Sequence, residues 1–350
     1  MKHLEALFER LSAFEPTMFP VVSLYLNTQP GASGGTNIDS FVRKELRRRV
    51  HAYPRRSPEH ESLQRDAGRI RAWVDAELGP SSNGAVVFAC WGVGEFFEAL
   101  QFDAPVNEHR LCVHHQPHLF PVARLIDDYA RYAVLIVGTH AARLLVCGRG
   151  ALLGTGWSQM RYQRHVENDQ QQATEVVNAL ERVVREEAIE HVLLTGDPVI
   201  VATLRGRLPH ALEERVAVLE LDHSASEARV LEAAIDALRK HDAQAEAEHV
   251  DRLLVAHRAG GSAVLGLHHT LAALGRHQVE ELIISGALGD FHGEDVSSRM
   301  RGDDRADGLV VPADELVARA RRTGARMRFI EDRSLLAAAG GVAALLRQRP

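Results

Sequence analysis

Residues 260–285 read GGSAVLGLHHTLAALGRHQVEELIIS, and this stretch decides the fold class. Gly260 and Gly261 interrupt a polar helical stretch that runs from about His241 to His257. Val264, Leu267, Leu271 and Leu274 then recur at three- and four-residue spacing, which places them on one face of an amphipathic helix. Val279 to Ser285 (VEELIIS) follows as an apolar run of strand length. A helix delivering straight into a core strand predicts α/β layering. Downstream, GLVVP (308–312), ARMRFIE (325–331) and GGVAALL (340–346) read as further β material. The acidic, glycine-bearing stretch 289–308 between them reads as a mobile loop.

Upstream the same alternation holds. YAVLIVG (132–138) and ARLLVCG (142–148) are short apolar runs parted by Thr139, His140 and Ala141, which predicts a hairpin, and ALLGTGW (151–157) extends it. Polar residues continue to Gln172, and Ala173, Val177, Leu180 and Val184 mark one face of a helix. Strand HVLLTG (191–196), a helix after Asp197 and Pro198, strand RVAVLEL (215–221) and a helix from Ser224 to about Lys240 complete this part. Near the start, VVSLYLN (21–27) and GAVVFACWG (84–92) read as strands around helices over 40–53 and 59–78. The proline-bearing text from Gln116 to Pro121 marks a boundary. The expectation is α/β throughout, in three consecutive domains over 1–125, 126–240 and 241–350.

Composition narrows the function. With 350 residues, 45% hydrophobic and 25% charged, the chain can bury a conventional core. It lacks an apolar run of about 18 residues, and its start, MKHLEALFERLSAFEP, is charged and amphipathic, so no membrane partner and a cytoplasmic location are expected. Net charge is −6, which disfavours bulk attraction to nucleic acid, DNA included, and requires any RNA contact to be local. Lysine occurs only at positions 2, 44 and 240, never in a P-loop setting. Gly148, Gly150 and Gly154 sit between apparent strands rather than opening a helix, so they do not make a dinucleotide fingerprint, and nothing calls for a cofactor.

Candidate chemistry concentrates in three places. Residues 43–56 (RKELRRRVHAYPRR) hold seven Lys or Arg against one acid; Arg43, Lys44, Arg47, Arg48 and Arg49 are RNA-binding candidates, because guanidinium forks fit phosphate. A solvated helix face explains them equally well. The stretch Trp157–Gln172 reads as a polar loop in which Trp157 and Tyr162 could stack on bases while Arg161, Arg164 and His165 pair with phosphates; the bland alternative is a frayed helix entrance. Cys112, His114, His115 and His118 have zinc-like chemistry, but consecutive histidines on a strand face opposite ways. A polar linker into the next domain is the simpler reading, and no metal is expected. Ser158 lies in GWSQ, outside any nucleophile elbow.

Residues 260–285 and the closing GGVAALLR (340–347) resemble the C-terminal domain of the archaeo-eukaryotic class-1 release factor and Pelota family. YAVLIVGTHAARLLVCGRG with its polar loop, long helix and HVLLTGDP resembles the central domain, and VVSLYLNT the start of the N-terminal one, so the three-domain order is similar along nearly the whole chain. The resemblance extends to bacterial, Balon-like ribosome hibernation factors. It implies a release-factor/Pelota-like architecture, a ribosome (rRNA, A site) partner, a monomer, and a translational GTPase such as EF-Tu as a further partner. Release factors place a Gly-Gly-Gln loop against the peptidyl-tRNA ester; the corresponding text here is Gly156-Trp157-Ser158-Gln159. Trp157 and Ser158 adopt the positive φ of a glycine pair only at a cost, which points to lost hydrolysis. Codon-reading motifs are not visible, so stop-codon decoding is not expected. The alternative is a peptidyl-tRNA hydrolase in which Gln159 positions water.

Overall fold

The structure, a computed structural model, describes residues 2–29, 38–79, 82–129, 132–138, 141–148, 158–165, 169–219, 227–290 and 310–347. In chain order these form α1 (Lys2–Ser12), β1 (Val21–Asn27), α2 (Ile38–Ala52), α3 (Pro58–Glu77), β2 (Gly84–Cys90), β3 (Phe96–Phe102), β4 (Arg110–His114) and α4 (Phe120–Asp128). Next come β5 (Tyr132–Val137), β6 (Ala141–Cys147), β7 (Ser158–His165), α5 (Asp169–Glu186), β8 (His191–Gly196), α6 (Pro198–Arg205), α7 (His210–Glu213) and β9 (Val216–Leu219). The last described stretch holds α8 (Glu227–Arg258), β10 (Ala263–Leu265), α9 (Leu267–Gly275), β11 (Val279–Ser285), α10 (Val310–Arg322), β12 (Arg326–Ile330) and β13 (Val342–Leu346). The architecture is mixed α/β on three sheets, with strand orders β3-β2-β1-β4, β7-β6-β5-β8-β9 and β10-β13-β11-β12.

Contacts divide the chain into two compact units. One joins Met1–Asp127 to Glu246–Pro350; the other is Asp128–Ala245. The first unit is built on β1 and β2, whose buried runs lack polar alternation because both faces are covered. On one face Val42 and Leu46 of α2 and Leu63 and Ile70 of α3 pack with Val22, Leu24, Val87 and Ala89. On the other, Leu4, Leu7, Phe8 and Leu11 of α1 share a core with Tyr25 and Phe88 and with Leu282, Ile284, Leu316, Val317 and Phe329 from the third sheet. Burying each such side chain contributes about 1.5–3 kcal/mol. First and last segments therefore close a common core.

In the second unit β5 pairs antiparallel with β6 and parallel with β8, and β8 runs parallel to β9. Tyr132, Val134, Leu145, Cys147 and Leu193 meet Ala234 and Leu238 of α8 on one face. Gly196, with φ of 127°, is required where β8 turns into α6: a Cβ there would stand 1.8 Å from Val137 O. Asp197 caps α6, its side chain accepting from Val199 and Ile200 N–H, and Pro198 begins the helix without needing its own N–H.

Several expectations change. GLVVP does not supply a strand: Val310–Pro312 open α10, and a proline in the first turn forfeits no helical bond. The helices expected on either side of about residue 240 are one, α8, since no glycine or proline interrupts 227–258. Cys112 and His114 lie on β4, paired with β1, rather than in a linker. The polar text from Trp157 is not a loop over its described part, because Ser158–His165 form β7 against β6. The stretch 291–309, most of the expected mobile loop, lies outside the described residues, as do Thr139, His140, Trp157 and 166–168.

Candidate functional site

The α2 cluster sorts itself by what each side chain touches. Val42 and Leu46 turn inward, which leaves Arg43, Lys44, Arg47 and Arg48 exposed on adjoining rows of the helix. Arg43 Nε contacts Asp39 at 2.7 Å, and Arg48 contacts Glu45 at 2.9 Å; both pairs join neighbouring turns and are exposed on the arginine side, so they orient the strip without burying its charge. Arg49 departs from the group. Its side chain is 11% exposed and donates to Leu111 O of β4 at 3.1 Å, and burial pulls its guanidinium below the ordinary value. It ties α2 to the sheet. Arg55 and Arg56 stay exposed in the turn before α3, beyond the strip.

On β7 the backbone alone fixes the arrangement. Gln159 lies opposite Val146, Met160 opposite Leu145, Tyr162 opposite Leu144, Arg164 opposite Ala142 and His165 opposite Ala141. Between Met160 and Tyr162 the register shifts, so Arg161 is the extra residue of a β-bulge. These candidates occupy one edge strand of the second sheet. The α2 candidates belong to the other compact unit.

The residues weighed as a zinc set have other employment. Cys112 is opposite Ser23 in the ladder, and burial pushes its thiol up to about 11, far from the thiolate a metal needs. The rings of His114 and His115 meet edge to face, 5.7 Å apart. His118, 4% exposed, places Nδ1 2.8 Å from Asp314 Oδ2. Asp314 Oδ1 also accepts from the N–H groups of Leu119 (2.8 Å) and Phe120 (2.9 Å), capping α4 from α10. Ser23 Oγ accepts from His118 N–H, and Tyr25 OH donates to His118 O at 2.5 Å, its own phenol pushed well above the ordinary value by burial and by the Asp314 carboxylate. Arg124 repeats the device, donating to both Glu331 carboxylate oxygens and to Gly286 O. Among the described residues no group of three or more His, Cys, Asp or Glu is placed to hold a metal.

Sequence reasoning missed a second cluster beside the α2–α3 layer. Arg65 and Arg69 lie over the ring of Trp91, with guanidinium carbons 4.9 and 5.4 Å from its centroid. Beneath them the fully buried Asp66 accepts from Trp91 N–H at 2.9 Å, and burial raises its carboxyl to about 6. The arginines at i and i+4 were visible as a helical pair, but their aromatic partner lies across a turn that the text does not reveal.

Residues 148–239 match the family model described as "Bacterial archaeo-eukaryotic release factor family 10". No curated protein matches the chain significantly. Among solved structures, S. cerevisiae Dom34, described as a translation termination-like factor interacting with Hbs1, is 11% identical, covering 76% of this chain and 80% of its own at a TM-score of 0.48. Archaeal Pelota, from a model of ribosome-bound archaeal Pelota and ABCE1, is 12% identical with coverage of 99% and 94% at a TM-score of 0.45. The archaeal translation termination factor aRF1 is 16% identical with coverage of 99% and 98% at a TM-score of 0.29. No described helix is long and apolar enough to cross a membrane.

Proposed function

We propose, from the premise that this chain is a bacterial archaeo-eukaryotic release-factor/Pelota-like protein by its segment 148–239, that it is a ribosome-binding factor. It occupies the A site of idle or stalled ribosomes, in hibernation or rescue, without decoding stop codons and without cleaving peptidyl-tRNA. The observation that carries the reading is the family segment combined with Gly156-Trp157-Ser158-Gln159 where a Gly-Gly-Gln loop is expected. A pair of glycines gives the backbone positive φ and close approach to the ester; tryptophan and serine do so at a cost. In this reading Arg43, Lys44, Arg47 and Arg48 hold decoding-centre RNA, the β7 residues Arg161, Tyr162, Arg164 and His165 contact RNA near the tip together with Trp157, and a translational GTPase such as EF-Tu delivers a cytoplasmic monomer. Arg49 supports the first group through Leu111 rather than touching phosphate.

The hydrolase alternative asks Gln159 to reach an ester from a mobile tip. The extended β7 backbone at Gln159, in register with Val146, weighs against it.

Sedimentation with purified ribosomes through a sucrose cushion tests the proposal. The protein is expected to pellet with ribosomes, less so as salt rises, because phosphate contacts release counterions. The double reversal Arg43→Glu/Arg47→Glu should weaken association at least about tenfold, with a shallower salt slope. Absence of any association at moderate salt removes the reading. In a peptide-release assay wild type and Gln159→Ala should be equally inactive; release that disappears on Gln159→Ala would restore the hydrolase.

A further inference from the structure

Arginines from separate stretches of chain converge on one end of the third sheet. α9 finishes at Gly275 and α10 at Arg322, β11 and β12 begin at Val279 and Arg326, and β13 ends at Leu346. Pairing of Glu281 with Arg326 and of Val279 with Leu346 brings the three strand ends together. Arg347 knots them: Nε donates to Val279 O at 3.0 Å, and a terminal nitrogen donates to Thr323 O at 2.9 Å and Gly324 O at 3.4 Å. Its backbone N–H donates to Gln278 O, and the Gln278 side-chain oxygen accepts from Arg276 Nε at 2.9 Å. A Cβ at Gly275 would stand 3.9 Å from Arg319 Nη1. Arg276, Arg319, Arg322, Arg326 and Arg347 thus ring a single surface, with His277 exposed among them.

The acids here are few. Glu315 pairs with Arg319, and Glu280 with Arg326. Among the described residues Arg276, Arg322 and Arg347 have no carboxylate partner. Helix-dipole complementarity accounts for arginine in the last turn of α10 and for Arg276 at the C-cap of α9, but not for Arg326 and Arg347 at strand ends. In a chain of net charge −6 this concentration forms a local positive surface that attracts an anion.

We propose that this sheet end is a second RNA-backbone contact, separate from α2, that grips phosphates through guanidinium forks. Arg276 and Arg347 are already held by oxygens of Gln278, Val279 and Thr323, so less side-chain freedom is lost when a phosphate docks. The exposed large apolar side chains of the described residues, Met18, Val93, Val199, Val218 and Val255, all lie elsewhere in the chain. Without an apolar or aromatic anchor the surface lacks what carries protein interfaces, which favours RNA over an acidic protein. The choice of RNA among polyanions rests on the ribosome-binding reading.

The test is fluorescence anisotropy of the full chain with a fluorescein-labelled RNA hairpin, comparing wild type with Arg276→Glu/Arg322→Glu. Both side chains are exposed, so melting should not change, and Arg347 is left alone because it holds backbone. The reversal is expected to weaken hairpin binding about tenfold or more and to lower the salt slope by about two. Equal binding by the two proteins overturns the proposal, as does a wild type that does not bind the hairpin. Displacement of the hairpin by polyglutamate as effective as that by unlabelled RNA of equal charge assigns the surface to acidic protein instead, and also overturns it. A chain that loses hairpin affinity on reversal yet never pellets with ribosomes would sink the A-site reading alone. One that pellets but ignores the reversal would sink only this inference.

Discussion

On α2 the exposed cations come from consecutive turns of one helix, within residues 43–48, whereas the third sheet gathers Arg276, the group Arg319, Arg322 and Arg326, and Arg347 from three stretches of chain. Each surface also contains an arginine tied to main-chain carbonyls, largely buried on α2 and exposed at the sheet end. Arg49 donates to Leu111 O, and Arg347 to Val279 O and Thr323 O. What decides the role of an arginine here is whether its guanidinium is largely buried as well as claimed by main-chain carbonyls, as it is for Arg49 and is not for Arg347. Local density of charge does not decide it, since Arg48 and Arg49 are neighbours with opposite fates.

The most drastic way to break this comparison is to remove the frame on which the sheet-end surface stands. α10 carries Asp314 as well as Arg319 and Arg322. Asp314→Ala leaves His118 and two N–H groups buried without their acceptor, and should lower stability in urea melts by about 3–5 kcal/mol. Asp314→Asn, which keeps one acceptor oxygen, should recover part of that loss. A finer cut separates neighbours on α2: Arg49→Ala should cost about 1–2 kcal/mol in the same melts, because the Leu111 carbonyl loses a partly buried donor, while Arg47→Ala should stay within about 0.5 kcal/mol. Smallest of all, Arg322→Ala should leave the melting curve unchanged within about 0.5 kcal/mol. A clear destabilisation there would show Arg322 to be structural and erase its distinction from Arg347.

Legibility in the sequence followed the range of the forces involved. β1, β2, β5 and β8 were readable because strands covered on both faces need unbroken apolar runs. β7 was unreadable: SQMRYQRH has no such run, and it is held as an edge strand by a ladder to β6 on one side. The α2 strip was visible as a run of charge, but the inward turn of Arg49 depends on where Leu111 lies in space. His118 invited a metal reading because its local neighbours are Cys112, His114 and His115; its true partner, Asp314, lies in α10 near the far end of the chain. The arginine-lined sheet end gave only a partial local signal: Arg319, Arg322 and Arg326 lie close together in ARARRTGARMR (318–328), but Arg276 and Arg347 come from distant stretches.

The common core of the first unit also fixes an order of events at birth. Its two halves are separated by the whole of Asp128–Ala245, which is continuous in sequence and closes through nearer contacts. As the chain emerges, the inserted unit can fold while α1 and one face of β1 still await Leu282, Leu316 and Phe329. Until those residues are synthesised, Leu4, Leu7 and Phe8 have only the first-half members of their core, such as Tyr25, Phe88 and Phe120, for cover, and the half-domain stays incomplete for most of translation.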